Sequence, residues 1–405
     1  MMPAKKLLQI NPVIRQNTST GRIMREIGEV AMKNGWESYI AYSKARDGVP
    51  VHSSRLVPVG NKISLAIHAL ATRLFDAHGL ASRRATRQLI KQIRELDPDI
   101  VHIHNIHGYF LNYPLLCKYL RESGKPVIWT VHDCWLYTGH CYYYSAAACD
   151  KWKSGCGHCP QKHAFPASWG LDRSARNWKD KQSALCALPR FTVVPVSQWI
   201  REEMKSSFLA GKDFRVIHNG IDLSVFTPQA AVKSKHTLYL GVSTIWYREK
   251  GFDDLISLAG RLQDDEQLIL VGRTTEEQKR RLPRHVRLVD RTENVAALAA
   301  LYASATVFLN PTWQDNYPTV NLEALACGTP VVTYRTGGSP ESVTAETGRV
   351  VPQGDVEGML SAARELAGMD REKTACQCRE WALQHADKKK CYQEYITLYE
   401  NLANR

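Results

Sequence analysis

The sequence predicts an α/β protein made of two doubly wound domains that face each other across a cleft. Short apolar runs alternate with amphipathic helical patterns, which is typical of parallel sheets covered by helices. This alternation occurs twice, and 405 residues are enough to build two hydrophobic cores. Ligands of such domains bind at the carboxyl ends of the strands.

The first series of apolar runs predicts five strands with amphipathic helices between them. The helices are expected at residues 22–34 and 81–96. The first domain is expected to cover residues 1–224, with a cysteine-rich insertion at residues 134–160. Its strands are expected at residues 6–10, 38–42, 100–104, 127–131 and 192–196.

The second series predicts a domain at residues 225–387, reached through a linker at residues 222–235. Its strands are expected at residues 237–242, 267–271, 286–288, 306–309, 330–333 and 348–351. Residues 388–405 are predicted to form a final helix that returns to the first domain. Its apolar and aromatic residues recur at helical spacing: Cys391, Tyr392, Tyr395, Leu398, Tyr399 and Leu402.

The net charge of +13 belongs to the first half of the chain. Residues 1–224 contain 31 Lys and Arg against 17 Asp and Glu, which gives +14, and residues 225–405 contain 22 against 23, which gives −1. Such a basic surface suits anionic partners, including phospholipid headgroups, although it also serves solubility. Nucleic acid is not an expected partner, because no nucleic-acid-binding motif is present.

One predicted helix concentrates basic residues near apolar ones. Its basic residues share a face, and we expect them to hold the protein at the inner face of the cytoplasmic membrane. A solvated helix on a basic protein is the alternative. No apolar run reaches the roughly 18 residues of a spanning helix, and residues 1–10 indicate a strand instead of a signal peptide. The basic face consists of Arg84, Arg87, Lys91 and Arg94, and the apolar neighbours are Leu74, Phe75 and Leu80.

The most informative segment is residues 310–333, in which strand, loop, helix and strand follow one another. The loop carries Asp315, Pro318 suits the first turn of a helix, and Glu323 follows within that helix. Free N–H groups at a helix start attract a diphosphate, and neighbouring carboxylates accept hydrogen bonds from sugar hydroxyls. From the residues alone, a plain βαβ unit is equally open.

This segment also resembles the donor-site signature of retaining glycosyltransferases of family 4, which have the GT-B fold of two Rossmann-like domains. The resemblance implies that Asp315 contacts the donor hexose and that Glu323 binds the ribose of the nucleotide. The family usually has Glu where Asp315 stands, so the donor sugar stays open. The remaining donor-site residues implied by the signature are Asn316, Thr319 and Val320.

Further segments resemble the family in the expected order: residues 99–104, 130–133, 216–222 and 337–341. By this resemblance His132 is the active-site histidine that contacts the transferred sugar. Gly21 stands near the family's Gly-Gly turn beside the donor phosphates. The variant Asp-Asn-Tyr-Pro at residues 315–318 is similar to a subgroup for exopolysaccharide synthesis, including colanic-acid-type enzymes.

Residues 241–251 resemble the family segment that supplies cations to the donor diphosphate. Lys250 matches the usual lysine. Ser243 or Thr244 occupies the position of the usual arginine, and Arg248 is the candidate to replace it. Cations at this place neutralise the departing diphosphate.

The resemblance implies transfer of a hexose or deoxyhexose from a UDP- or GDP-linked donor to a saccharide or lipid-linked saccharide, with retention of the anomeric configuration. It implies a cytoplasmic enzyme that needs no cofactor for catalysis, and it leaves the acceptor-binding residues unknown. Two alternatives stay open. One is an inverting GT-B enzyme with His132 or Asp133 as general base, and the other is a non-catalytic nucleotide-sugar-binding protein.

The insertion contains four cysteines that end in a Cys-x-x-Cys pair and predict a structural zinc site. A disulfide and free thiols in a packed loop are the alternatives. The predicted zinc ligands are Cys141, Cys149, Cys156 and Cys159. The insertion is also rich in aromatic residues, which suit either stacking on acceptor sugars or a small local core: Trp135, Tyr142, Tyr143, Tyr144 and Trp152.

Overall fold

The computed structural model describes residues 4–15, 18–43, 53–229 and 236–404. The chain divides into two compact units, Met1–Ile217 with Tyr392–Arg405, and His218–Cys391. Leu223, at the start of the predicted linker, packs within the second unit, where Arg379 donates to its carbonyl and the neighbouring Ile221 pairs with Asp387. Residues 230–235 of the predicted linker lie outside the described residues.

The first unit is built on a parallel sheet. Its strands are β1 (Lys6–Ile10), β2 (Glu37–Ser43), β3 (Arg55–Val59), β4 (Ile100–Ile103), β5 (Val127–Val131), β6 (Phe191–Pro195) and β7 (Asp213–Phe214). Its helices are α1 (Ser19–Lys33), α2 (Lys62–Phe75), α3 (Arg83–Leu96), α4 (Tyr113–Ser123), α5 (Ser174–Cys186) and α6 (Gln198–Met204). The order β3-β2-β1-β4-β5-β6-β7 reverses between β1 and β4, whose carboxyl ends therefore frame a crevice.

Both faces of this sheet are buried. Along β2, Tyr39 and Ala41 join one core while Ile40 and Tyr42 join another, as alternation along a strand requires. The two strands that the sequence does not predict, β3 and β7, lie at the sheet edges. Pro58 interrupts the pattern of β3 and is tolerated at an edge, and β7 has only two residues.

The second unit repeats this design, and all six strands predicted for it are present. They are β8 (Thr237–Ile245), β9 (Glu266–Arg273), β10 (Val286–Val289), β11 (Val307–Asn310), β12 (Val331–Tyr334) and β13 (Gly348–Val351). The helices are α7 (Phe252–Ala259), α8 (Glu276–Arg280), α9 (Val295–Ser304), α10 (Thr319–Ala326), α11 (Val356–Ala367) and α12 (Arg371–His385). The order β10-β9-β8-β11-β12-β13 reverses between β8 and β11, so the loops after these two strands meet.

The last helix, α13 (Lys388–Ala403), begins at the predicted residue and ends two residues before the end of the predicted segment, and its residues from Tyr392 onward belong to the first unit. Its tyrosines bind polar groups at the sheet. The Tyr399 hydroxyl lies 2.7 Å from His102 Nδ1, and the Tyr395 hydroxyl lies 2.9 Å from Thr130 Oγ1. Within the described ranges, no helix of either unit combines the length and apolar character needed to cross a bilayer.

Candidate functional site

Lys250 and Asp315 meet at the switch point of the second sheet. Lys250 follows β8 and Asp315 follows β11, and Lys250 Nζ donates to Asp315 Oδ2 at 2.8 Å. The side chains are 27% and 19% exposed, so the pair is accessible from solvent. Burial opposes the charge on Lys250, but the Asp315 carboxylate raises the pKa of Lys250 above its ordinary value. The lysine is therefore held as a cation at this place.

Two glycines allow neighbouring segments to press on the loop that carries Asp315. A Cβ on Gly251 would lie 2.2 Å from the Pro311 carbonyl oxygen, and a Cβ on Gly337 would lie 1.8 Å from the Asp315 carbonyl oxygen. Both glycines have positive φ, 76° and 55°, which other residues rarely adopt. The loop position therefore depends on glycine at both places.

The helix after this loop, α10, starts without a side-chain cap. Pro318 occupies the N-cap position and cannot offer a side-chain acceptor, so the first-turn N–H groups at Thr319 and Val320 receive no such bond. Both residues are half-buried, and the preceding Asn316 is buried. An uncapped helix start attracts an anion.

Glu323 lies within α10 and is 4% exposed. The hydroxyl of Tyr302, on α9, donates to Glu323 Oε2 at 3.1 Å. The Tyr302 hydroxyl thus orients Glu323, which is predicted to bind the ribose. Sequence patterns do not identify this partner, because the two residues lie on different helices.

A chain of side-chain hydrogen bonds through two asparagines fixes the position of α10. Asn310 Nδ2 donates to Asn321 Oδ1 at 2.8 Å, and Asn321 Nδ2 donates to Ser342 Oγ at 3.1 Å. This hydrogen-bonded chain joins β11, α10 and the 3-10 turn Ser339–Ser342. Sequence reasoning missed it, although an asparagine among the apolar residues of a short helix was an available signal.

The arginine position of the family segment is not filled by another cation. Ser243 Oγ donates to the Ile245 carbonyl at 2.8 Å, and Thr244 is exposed. The Arg248 side chain is exposed and makes no ion pair with the residues that the structure describes. Lys250 is the predicted cation that the structure pairs with Asp315.

In the first unit, His132 follows β5 and belongs to a buried hydrogen-bonded chain. Gln9 Oε1 lies 3.0 Å from His104 Nε2, and His104 Nδ1 lies 3.1 Å from His132 Nε2. The amide oxygen only accepts, so His104 carries its proton on Nε2 and His132 donates from Nε2. Burial lowers the pKa of His132 to about 4, and the imidazole is neutral at physiological pH.

Asp133, next to His132, is committed to local partners. It accepts from His107 Nε2 at 2.7 Å and from the Trp135 N–H at 3.0 Å. Burial opposes its ionisation, but His107 and these hydrogen bonds keep the pKa of Asp133 below its ordinary value. It is an ionised, fully engaged carboxylate.

Gly21 lies in the first turn of α1, where its small size serves local packing. A Cβ at this position would lie 2.6 Å from the Arg15 carbonyl oxygen and 2.5 Å from Thr18 Oγ1. Its role beside donor phosphates stays a prediction.

The four cysteines predicted to bind zinc are free thiols near one another. Burial, with smaller contributions from the other three cysteines, raises the pKa of Cys141 to about 12. The N–H groups of Gly139 and Gln161 donate to the sulfurs of Cys156 and Cys159. Across the described parts of the chain, however, no three His, Cys, Asp or Glu side chains are placed to hold a metal ion. The site formed by Cys141, Cys149, Cys156 and Cys159 therefore stays a prediction.

Metal analysis of protein purified without added zinc checks this prediction. Neighbouring thiolates repel one another, and Zn²⁺ offsets that repulsion when it binds them and displaces the thiol protons. We expect about one equivalent of zinc, with Zn–S distances of about 2.3 Å. Less than about a tenth of an equivalent, with all four thiols reactive in the native protein, would eliminate the site.

The aromatic residues of the insertion form mainly a local core. Trp152 stacks on Tyr144 with ring centroids 4.7 Å apart, and both are buried. Trp135 is buried under Lys181, whose Nζ lies 3.5 Å from the ring centroid and donates to the Thr138 carbonyl at 2.8 Å. A small local core, and not stacking on acceptor sugars, therefore accounts for Trp135, Tyr144 and Trp152. Tyr142 and Tyr143 are half-buried.

Two parallel-sheet units, with a cation, a carboxylate and an uncapped helix start at one switch point, fit the class of nucleotide-sugar-dependent transferases. Comparison with known proteins agrees. Residues 20–225 match the family described as Glycosyltransferase Family 4, and residues 235–368 match the one described as Glycosyl transferases group 1. The chain belongs to glycosyltransferase family 4.

Individual proteins extend this similarity over nearly the whole chain. WcaC of Escherichia coli (strain K12), a glycosyl transferase assigned to colanic acid biosynthesis, is 24% identical over 98% of this chain and 100% of its own length. A sucrose-phosphate synthase from Thermosynechococcus elongatus has a TM-score of 0.72 at 17% identity, covering 98% of this chain and 99% of its own. Anabaena Alr3699/HepE in complex with UDP-glucose has a TM-score of 0.67 at 16% identity, with coverages of 98% and 99%. The predicted GT-B fold is confirmed.

Proposed function

We propose that this glycosyltransferase moves a hexose or deoxyhexose from a UDP- or GDP-linked donor to a saccharide acceptor with retention, in polysaccharide biosynthesis. The observation that carries the proposal is the Lys250–Asp315 pair beside the uncapped start of α10. The UDP-glucose bound by Alr3699/HepE and the assignment of WcaC to colanic acid biosynthesis support it.

In the proposed reaction, the donor diphosphate lies between Lys250 and the N–H groups of Thr319 and Val320. Asp315 accepts hydrogen bonds from the sugar hydroxyls, and Glu323 accepts them from the ribose. The bond between the anomeric carbon and the diphosphate oxygen breaks, and the cation and helix start stabilise the charge that develops on that oxygen. The acceptor hydroxyl attacks from the same face, and its proton passes to the leaving phosphate.

The first unit's polar groups favour retention over inversion. An inverting reaction needs a general base near neutral pKa. His132, with a pKa of about 4, is a weak base, and Asp133 is engaged by His107. The intact Lys250–Asp315 pair also argues against a decayed, non-catalytic site.

We place the reaction in the cytoplasm, at the inner membrane face, with a lipid-linked saccharide as acceptor. All eleven cysteines are free, which suits a reducing compartment. The charge of +14 on residues 1–224, from 31 basic and 17 acidic residues, suits an anionic surface.

A panel of UDP- and GDP-sugars tests the proposal. We expect one donor to raise the apparent stability, by about 2.7 kcal/mol at 100 times its Kd, and to be slowly hydrolysed. With a saccharide acceptor, NMR coupling constants should show that an α-linked donor yields an α-linked product. A product whose anomeric configuration is opposite to that of the donor would indicate an inverting enzyme. Binding without hydrolysis or transfer for every donor would indicate a non-catalytic protein.

A further inference from the structure

Helix α2 exposes an apolar stripe. Ile63, Ile67, Leu70 and Leu74 recur at steps of four, three and four, so they share one helix face, and they are between 40% and 71% exposed. Phe75 at the end of the helix is 54% exposed. A helix that turns such a stripe to water has an unfilled interaction surface.

The opposite, polar side of α2 attaches it to the first unit. His68 Nε2 accepts from the Gly79 N–H at 3.0 Å, and His68 Nδ1 lies 2.8 Å from Ser82 Oγ. His68 and Thr72 are the buried residues of the helix. Asn61 and Ser64 form a capping box at its start. The helix is therefore fixed with its apolar stripe outward.

A loop adds two more exposed apolar residues to the end of the stripe. The N–H of Trp169 donates to the Arg73 carbonyl at 2.7 Å, and the N–H of Leu171 donates to the Leu74 carbonyl at 3.0 Å. Trp169 is 63% and Leu171 is 60% exposed. The Arg73 guanidinium lies 4.9 Å from the Trp169 ring centroid. Of twelve large hydrophobic residues exposed in the described parts of the chain, seven belong to α2 and this loop.

A basic cavity of about 620 Å³ adjoins this apolar surface. Ala77 and Leu80, in the turn after α2, line it, as does Arg173, two residues beyond Leu171. Its charged lining comprises four cations and one carboxylate: Arg83, Lys118, Arg121, Arg173 and Asp180. Arg173 is paired with Asp180 at 2.7 Å. The cavity therefore keeps a positive excess beside the stripe.

We propose that α2, the loop 169–171 and the adjoining basic cavity form a docking surface for an anionic phospholipid bilayer. The apolar stripe enters the interface between headgroups and acyl chains, with Trp169 at its border, and the cavity cations bind headgroup phosphates. Helix α2 contains no acidic residue that would oppose this contact. Charge complementarity favours a lipid surface as the occupant.

This assignment extends the predicted membrane contact, in which Leu74 and Phe75 already belong to α2. The apolar residues of α3, such as Leu89, Ile90 and Ile93, are buried, so α3 offers only its basic face. The apolar part of the contact is on α2. This proposal rests on the proposed function, because membrane docking would bring the enzyme to its proposed lipid-linked acceptor.

Co-sedimentation with vesicles tests the surface, with no nucleotide sugar present. Vesicles of phosphatidylcholine with phosphatidylglycerol should bind the protein, more weakly at physiological than at low salt, while phosphatidylcholine alone should bind little. The double variant Ile67→Gln/Leu70→Gln should lower vesicle binding at least about tenfold, because it removes two side chains from the interface. Arg83→Gln/Arg121→Gln should reduce both the binding and its salt dependence.

Two matched controls should bind vesicles like wild type. They are Leu383→Gln, which replaces an exposed apolar residue of α12, and Arg284→Gln, which replaces an exposed basic residue. Thermal unfolding of each variant checks that the fold is kept.

The proposal is overturned if wild type binds anionic and neutral vesicles equally at low salt, or if the α2 variant binds like Leu383→Gln. Self-association that the α2 variant abolishes, without vesicle binding, would assign the surface to a second copy. Transfer to a soluble acceptor without vesicles is measured separately, so this proposal and the proposed function can fail independently.

Discussion

Replacing Lys250 with methionine should lower kcat about 100- to 1000-fold, the usual cost of removing one preorganised group that stabilises transition-state charge. The cation lies 2.8 Å from Asp315 and is partly open to solvent, so it can turn to a donor diphosphate. Methionine is unbranched and only one atom shorter than lysine, and it removes the charge. Steady-state kinetics with the donor identified by stability screening measure the effect.

Lys279→Met is the matched control, because Lys279 is also a lysine of the second unit that is paired with a carboxylate, Glu276, but on α8. It should leave kcat within about twofold. If Lys250→Met turns over like Lys279→Met, the proposed role of Lys250 in stabilising the leaving group is wrong.

Asp315→Asn should lower turnover while leaving the affinity for free nucleotide nearly unchanged, since the proposed partner of Asp315 is the sugar.

Replacing Glu323 with glutamine should weaken nucleotide binding by about 1.5–3 kcal/mol, the range for a hydrogen bond to a charged group. That is roughly a 10- to 150-fold rise in Kd. The carboxylate is buried and oriented by Tyr302, so little reorganisation should be needed on binding. Isothermal titration with the free nucleoside diphosphate measures the change.

Tyr302→Phe separates binding from positioning. It removes the hydroxyl that donates to Glu323 and leaves the carboxylate in place. We expect a smaller loss of affinity than for Glu323→Gln, with a similar change in thermal stability. Equal affinity of wild type and Glu323→Gln for the nucleotide would show that the ribose contact has been assigned to the wrong residue.

The resemblance to family 4 assigned Lys250 and Asp315 to one donor site, and in the structure each follows a strand at the point where strand order reverses. Gly337 was recognised as part of a family segment, but its contact with the Asp315 carbonyl was not, since close backbone approach leaves no periodic trace.

The prediction of a membrane contact shows a second limit of inference from sequence periodicity. Periodicity identified the basic face of α3 correctly, yet Leu74 and Phe75 belong to α2, whose stripe also includes Ile63, Ile67 and Leu70. The apolar residues of a helix face have the same sequence spacing whether the face packs on a core or is exposed to water. What decides is whether another element covers it, and that depends on long-range packing. The Tyr302–Glu323 and Asn310–Asn321 bonds escaped prediction for the same reason.

The return of α13 to the first unit has a consequence for synthesis on the ribosome. His102 and Thr130 are translated early, but their hydroxyl partners, Tyr399 and Tyr395, are made only after the whole second unit has emerged. The nascent first unit therefore lacks these partners of His102 and Thr130 while residues 218–391 are translated. Domains usually fold in order as they leave the ribosome. Here the unit that begins folding first is the one that finishes last.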